Sequence, residues 1–195
     1  MFMIQEILGY FFIALIGMLL LTIIYLPVYF ILRKRVPVLR QIAGFLFGVC
    51  IFVISGATVF VTVMVNLMSG MGVFSQDHYC NIIPFRFLFE VWDMGIRKQI
   101  TQELANVIMF VPLGFSFPIA CKKARKFWKA TVCMALFSFM IELAQFFIGR
   151  SADIDDLILN TLGGVIGFFF FYVCSRLFGN KKIWKQLNMS AIMEK

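Results

Sequence analysis

Between Glu142 and Asp156 the chain gathers groups that can do chemistry. Glu142 and Gln145 stand three residues apart, and Arg150, Asp153, Asp155 and Asp156 follow, so that one guanidinium and three carboxylates fall within seven residues. On a helix, positions i and i+3 share a face, which puts Glu142 and Gln145 side by side. A carboxylate held there suits general acid or base work, and Glu142 and Asp156 are the candidate catalytic groups. Clustered aspartates suit a hard cation such as Mg2+ or Ca2+, which takes oxygen ligands. Asp153, Asp155 and Asp156 are therefore candidate metal ligands. Arg150 is a forked donor for phosphate or carboxylate. A structural reading competes with all of this. Acids at the start of a helix accept from its free N–H groups and complement its dipole, for about 0.3–1 kcal/mol each.

The surroundings of this run decide how much it means. The chain of 195 residues is 62% hydrophobic, only 14% charged, and holds 25 phenylalanines. A soluble domain carries about a quarter charged residues. The composition is that of an all-α integral membrane protein. A helix needs about 20 mostly apolar residues to cross the hydrocarbon core. Five stretches qualify, at 7–32, 42–68, 104–121, 130–148 and 157–178. The first is expected to be a span and not a signal peptide, because it lacks a basic start, is too long and has no small-residue cleavage site. Pro27, Pro112 and Pro118 fall inside spans, where kinks rather than breaks are expected. The five cysteines show no paired spacing and are read as buried thiols. His78, the only histidine, is read as an ordinary loop residue.

Charge sets the direction of the five-helix bundle. Counting Lys and Arg over alternate connections, fourteen fall on one side and four on the other. The rich side is cytoplasmic by the positive-inside rule, which puts the N-terminus outside and the C-terminus in the cytoplasm. The net charge of +8 is thus a property of one membrane face. It fits basic segments lying on anionic lipid, and it gives no reason to expect nucleic acid.

With that orientation, the polar residues inside the spans sort to one level. Glu142 and Gln145 sit on the fourth span, Asn106 near the outer end of the third, and Asn160 four residues after Asp156 on the fifth. At 1.5 Å per residue, Glu142 lies roughly 10 Å below the outer end of its helix. An ionisable group at such depth is costly unless paired, and is a functional candidate by default. Asn106, Glu142, Gln145, Arg150, Asp153, Asp155, Asp156 and Asn160 form the candidate binding set, an outward-facing polar pocket. Gly163 and Gly167 have the small-xxx-small spacing that lets another helix approach, and Gly114 offers a matching surface. If those faces meet, Asn106 is drawn towards Asn160. The long connection 69–103 is external, and its "NIIPFRFLFEVW" run is expected either to lie at the interface or re-enter the membrane, or to cover the bundle as a surface loop.

These residues also carry a family resemblance. "NIIPF" at 81–85, "NVIMFVPLGF" at 106–115, "IELAQ" at 141–145, Arg150 and "DIDDLILNTLGGVIG" at 153–167 occur in an order and spacing that resemble the VanZ-like family of bacterial membrane proteins, over residues 80–170. The first two spans match only in being apolar. The resemblance implies a multi-pass protein of the bacterial cell membrane with a role in low-level resistance to teicoplanin-type glycopeptides and lipoglycopeptides. It does not imply the route that alters the D-Ala-D-Ala terminus of the wall precursor.

Two mechanisms are compatible with the residues. In the first, the pocket binds or shields a lipid-linked wall precursor, or the lipid-anchoring glycopeptide itself, at the outer leaflet. Arg150 then contacts phosphate or carboxylate, and Asn106, Gln145 and Asn160 give neutral hydrogen bonds. In the second, an intramembrane enzyme uses Asp153, Asp155 and Asp156 to hold Mg2+ or Ca2+ against a lipid-linked phosphate, with Glu142 as acid or base.

Overall fold

In hydrocarbon every backbone polar group must be satisfied within the segment, so long apolar runs fold as helices. In the computed structural model of the chain the described residues are 2–34, 36–74, 78–86 and 96–188, with 2–14, 96–99 and 188 described as backbone only. The helices are α1 (Phe2–Leu32), α2 (Val38–Met68), α3 (Ile96–Ala120), α4 (Phe127–Phe147), α5 (Ile154–Phe178) and the short α6 (Lys182–Asn188). The first five are long and apolar enough to cross a bilayer. Two three-residue strands, β1 (Tyr79–Asn81) and β2 (Ser151–Asp153), pair in parallel, with Cys80 opposite Ala152.

The bundle is built around a contact between α3 and α5. A Cβ added at Gly114 would fall 2.1 Å from the Gly164 carbonyl oxygen, one at Gly163 would fall 2.1 Å from that of Val107, and one at Gly167 would fall 2.1 Å from that of Val111. Main chain therefore touches main chain, which only glycine permits. Association inside a membrane relies on such close van der Waals fit, since lipid is as apolar as leucine. Ile54, Phe110, Leu113, Met134 and Ile141 fill the space between α2, α3 and α4. A second cluster joins Ala43, Ile119, Ala130, Phe168 and Phe171 at the other end of the helices, with Trp184 and Leu187 of α6 packed against it. α1, the most apolar span with mean hydropathy 2.5, is also the least covered by protein and rests on α2.

The prolines interrupt less than their reputation suggests. Pro27 lies inside α1, and Pro112 and Pro118 lie inside α3, with no break in either helix. Ser116 donates to the Pro112 carbonyl oxygen at 2.8 Å. The irregularity occurs in α2, where Gly56–Phe60 forms a π turn and the Val61 N–H reaches back five residues to the Gly56 carbonyl. The Thr58 hydroxyl bonds the Ile54 carbonyl at 2.7 Å across this turn.

The long connection and the cysteines differ in detail from the sequence reading. α3 begins at Ile96, within the segment read as an external loop, so Glu103 stands on a helix. Half of the expected interfacial run, 87–92, falls outside the described residues; its first half, 81–86, is the end of β1 and a turn. None of the cysteines is fully buried: Cys80 and Cys133 are exposed, and Cys50, Cys121 and Cys174 are intermediate. A thiol on a span needs no protein cover when lipid surrounds it.

Candidate functional site

The end of α4 is where the polar groups start to converge. Gly149 takes φ 79°, and the Arg150 N–H returns to the Gln145 carbonyl at 2.9 Å while that of Gly149 returns to Phe146. This is a Schellman ending, which needs a left-handed residue just past the helix. Asn66 adds a bond from its amide to the Ile148 carbonyl at 2.8 Å. The His78 ring places Nδ1 2.9 Å from the Phe146 carbonyl and stacks on the Phe146 ring. The Gln145, Phe146 and Ile148 carbonyls are thereby satisfied, and the chain is turned directly into β2.

β2 carries the acids to their positions. Glu142 is only 6% exposed, and its Oε2 accepts from the Asp153 backbone N–H at 2.9 Å. A carboxylate inside a span thus neutralises part of its burial cost on a free N–H at the start of α5. Gln145, equally buried, lies over the same carboxylate, with its amide nitrogen 3.2 Å from each Glu142 oxygen in the orientation that satisfies both ends of the amide. Asp153 is the N-cap of α5 and accepts from the Asp155 N–H at 2.8 Å, so the structural reading of this residue is realised. The same carboxylate receives the Asn81 amide at 3.0 and 3.1 Å, which ties the two strands together through side chains as well as main chain.

The remaining acids face other elements. Asp155 accepts from the Phe85 N–H, and Phe85 sits at φ 62°, a left-handed conformation that a bulky residue adopts only when held there. Asp156 accepts from the Asn106 amide of α3 at 2.5 Å. The glycine contact below does bring Asn106 onto α5, but it meets Asp156 and not Asn160. Asn160 lies one turn deeper, donates to the Ser138 hydroxyl at 3.0 Å, and has no partner for its Oδ1 among the described residues. Arg150 is exposed and donates to the Thr58 carbonyl, the one presented by the π turn, at 3.1 Å.

Of the eight expected binding residues, then, Glu142, Gln145, Asp153, Asp155, Asp156 and Asn106 lie in one connected region. Arg150 borders it on the α2 side and Asn160 lies below it. The three aspartates point to Asn81, Phe85 and Asn106 respectively, and among the described residues no group of three His, Cys, Asp or Glu side chains is arranged to hold a metal ion. Asn81, Thr58, Ser138 and Glu103 are additions. Glu103 has a buried oxygen without a partner among the described residues, and it shares a helix face with Asn106 three residues on.

A groove of about 330 Å³ opens beside this network. Ile82, Phe139, Leu143, Phe146, Ile154 and Leu157 give it apolar walls, and Asn81, Glu142 and Asp153 back it. Phe139 and Leu143 are exposed side chains of a span, so the groove faces sideways, where lipid lies. The arrangement can take a hydrocarbon chain beside hydrogen-bonding groups at one end of the bundle.

Five apolar helices of membrane-crossing length, with their buried carboxylates collected at one end, define a multi-pass helical membrane protein. The chain belongs to the VanZ/LLP1 family, whose profile matches residues 45–175. That span runs from α2 to near the end of α5 and contains every residue of the site. No curated protein and no solved structure matches the chain.

Proposed function

We propose that this chain is a bacterial cell-membrane protein that lowers susceptibility to teicoplanin-type glycopeptides by binding or shielding a lipid-linked envelope component, or the antibiotic's own lipid, at the outer leaflet. The observation that carries this reading is the union of an apolar lateral groove with a buried polar network at the same end of the bundle. The groove takes the chain of the lipid. The polar end, with Arg150 at its border, takes part of the head. Glycopeptides with a lipid tail gain affinity by holding membrane and target at once, a two-site effect. Weakening either attachment lowers the apparent affinity without any change to the target's chemistry. The metal-assisted enzymatic alternative lacks comparable support, because the aspartates are spent on separate partners. Teicoplanin resistance enters as an association of the family.

The test is the inhibitory concentration of teicoplanin in a susceptible host expressing the chain, with membrane protein level as control. Glu142→Gln retains an oxygen to accept from the Asp153 N–H, and Asp156→Asn retains one for Asn106. Both variants are expected to accumulate normally and to lose resistance. Arg150→Ala removes the bond to Thr58 and the positive charge that Glu142 and Asp156 feel, and is expected to lose resistance as well. Full resistance in both isosteric variants would show that the network is structural.

A further inference from the structure

A second groove, of about 220 Å³, runs between α1 and α2 at the end of the bundle opposite the site. Tyr25, Leu26 and Tyr29 line it from α1, and Ile42 and Phe45 line it from α2. The Tyr25 and Phe45 rings meet across it with centroids 5.8 Å apart. α1 has so little protein cover that this groove opens to lipid.

Gln41, in the first turn of α2, lines the same groove and is out of place there. It is 2% exposed. Its Nε2 donates to the Val36 carbonyl at 3.0 Å, and its main-chain carbonyl accepts from the Tyr25 hydroxyl at 3.2 Å, which fastens α1 to α2. These two bonds hold the residue against the groove. The side-chain Oε1 has no hydrogen-bond partner among the described residues. A buried acceptor left so is destabilising, and more so beside hydrocarbon, where no water compensates. Leucine would fill the position without that cost.

The groove also defines what could supply the donor. Its walls suit a hydrocarbon chain. Arg33 continues the Tyr25–Tyr29 row one turn further out. Its guanidinium lies over the Phe30 ring, which meets the Tyr29 ring at 5.6 Å, and Arg33 and Lys34 are both exposed. A ligand that matches all three features has an apolar chain, a hydrogen-bond donor near its polar end, and a negative group for the cations. A phospholipid with an N–H or O–H in its headgroup has each of them.

We propose that the α1–α2 groove binds one phospholipid of the leaflet at that end, its acyl chain between the helices, its phosphate beside Arg33, and a headgroup N–H or O–H on the Gln41 Oε1. Phosphatidylethanolamine and phosphatidylglycerol both carry such a donor. Phosphatidylcholine, the fully N-methylated form of the first, has the same net charge as phosphatidylethanolamine and no donor. The site is separate from the groove beside Glu142 and does not depend on the function proposed for it.

The experiment uses the full-length protein purified in detergent and a phosphatidylethanolamine with a photoreactive diazirine on its acyl chain. Cross-linked peptides are mapped by mass spectrometry, with unlabelled lipids as competitors. Cross-links are expected within residues 22–45. Unlabelled phosphatidylethanolamine is expected to suppress them about tenfold more strongly than phosphatidylcholine, the scale of one hydrogen bond from a charged donor, with phosphatidylglycerol also ahead of phosphatidylcholine. Gln41→Leu is expected to keep the cross-links, because the chain still fits, and to bring the three lipids within about twofold of one another. Cross-links at Phe139 or Leu143, in the other groove, are expected to be unchanged by Gln41→Leu and so report a folded protein. The comparison of the three lipids on the unaltered chain stands without any variant. Equal suppression by phosphatidylethanolamine and phosphatidylcholine would overturn the proposal, and an advantage of phosphatidylglycerol alone would then assign binding to surface charge. Absence of cross-links from 22–45, or an undiminished preference in Gln41→Leu, would overturn it as well.

Discussion

Substituting alanine for Gly163 tests the contact on which the fold depends. The new Cβ would fall 2.1 Å from the Val107 carbonyl oxygen, more than an ångström short of the 3.4 Å at which ordinary contact begins. Its other near neighbours are the Val107 carbonyl carbon at 2.9 Å and the Phe110 Cβ at 3.0 Å, so no flexible side-chain tip can yield. The helices themselves must part. Overpacking costs about 1–3 kcal/mol, and a clash with main chain belongs at the upper end. Parting the helices also stretches the Asn106–Asp156 bond, worth about 1.5–3 kcal/mol when intact because one partner is charged. Against this, alanine improves helix propensity by about 0.8–1 kcal/mol. The net expectation is a loss of about 2–4 kcal/mol. Gly44 is the control: a Cβ there meets nothing within 4 Å, and Gly44→Ala should be neutral or gain up to about 1 kcal/mol. Denaturant titration of the detergent-solubilised protein, followed by near-UV dichroism, reads both. Equal stability of the two variants would refute main-chain contact between α3 and α5.

Three further expectations concern single residues. Ser138→Ala should cost about 1 kcal/mol, because it leaves the buried Asn160 N–H without its described acceptor; in the Ser138→Ala/Asn160→Leu double variant the two losses should fall short of additive in the same titration. Asn81→Ala should cost about 1–3 kcal/mol by stripping the Asp153 carboxylate of its amide partner, and should speed proteolysis in the β1 region; unchanged cleavage would show that the strand pair holds without it. Native Cys80, exposed beside the groove, should react with an impermeant maleimide applied to intact cells, whereas a cysteine at Lys123 should not; the reverse pattern would invert the topology.

Periodicity and hydropathy made much of this legible. Five helices of membrane length follow from runs of Leu, Ile and Phe, since a bilayer leaves few other options. Glu142 and Gln145 share a face by helix geometry alone; Glu142 meets the start of α5, and Gln145 lies against the Glu142 carboxylate. Other parts had no signature. The parallel pairing of 79–81 with 151–153 joins segments some 70 residues apart, each too short to show a strand period. The Thr58 carbonyl became part of the site through a π turn, a backbone event that no side chain announces. On the sequence alone, a meeting of the glycine faces draws Asn106 towards Asn160. The glycine contact brings α3 and α5 together at Gly163, but their relative register, which the glycine spacing does not encode, aligns Asn106 with the helix start instead.

The pairing of α3 with α5 also sets an order for biogenesis. α4 lies between them in the chain, yet it packs mainly on α5 and little on α3. Helices enter the membrane in order of synthesis, so α3 and α4 arrive before the surface that joins them exists. Until residues 153–178 follow, Gly114 faces no Gly164, Asn106 has no Asp156, and Glu142 has no Asp153 N–H to accept from. The half-made protein therefore holds two helices with bare amide and carboxylate groups inside the bilayer, a state that must be sheltered by the insertion machinery or rescued quickly. The last long helix closes the assembly in a single step, completing the packing and the polar network together.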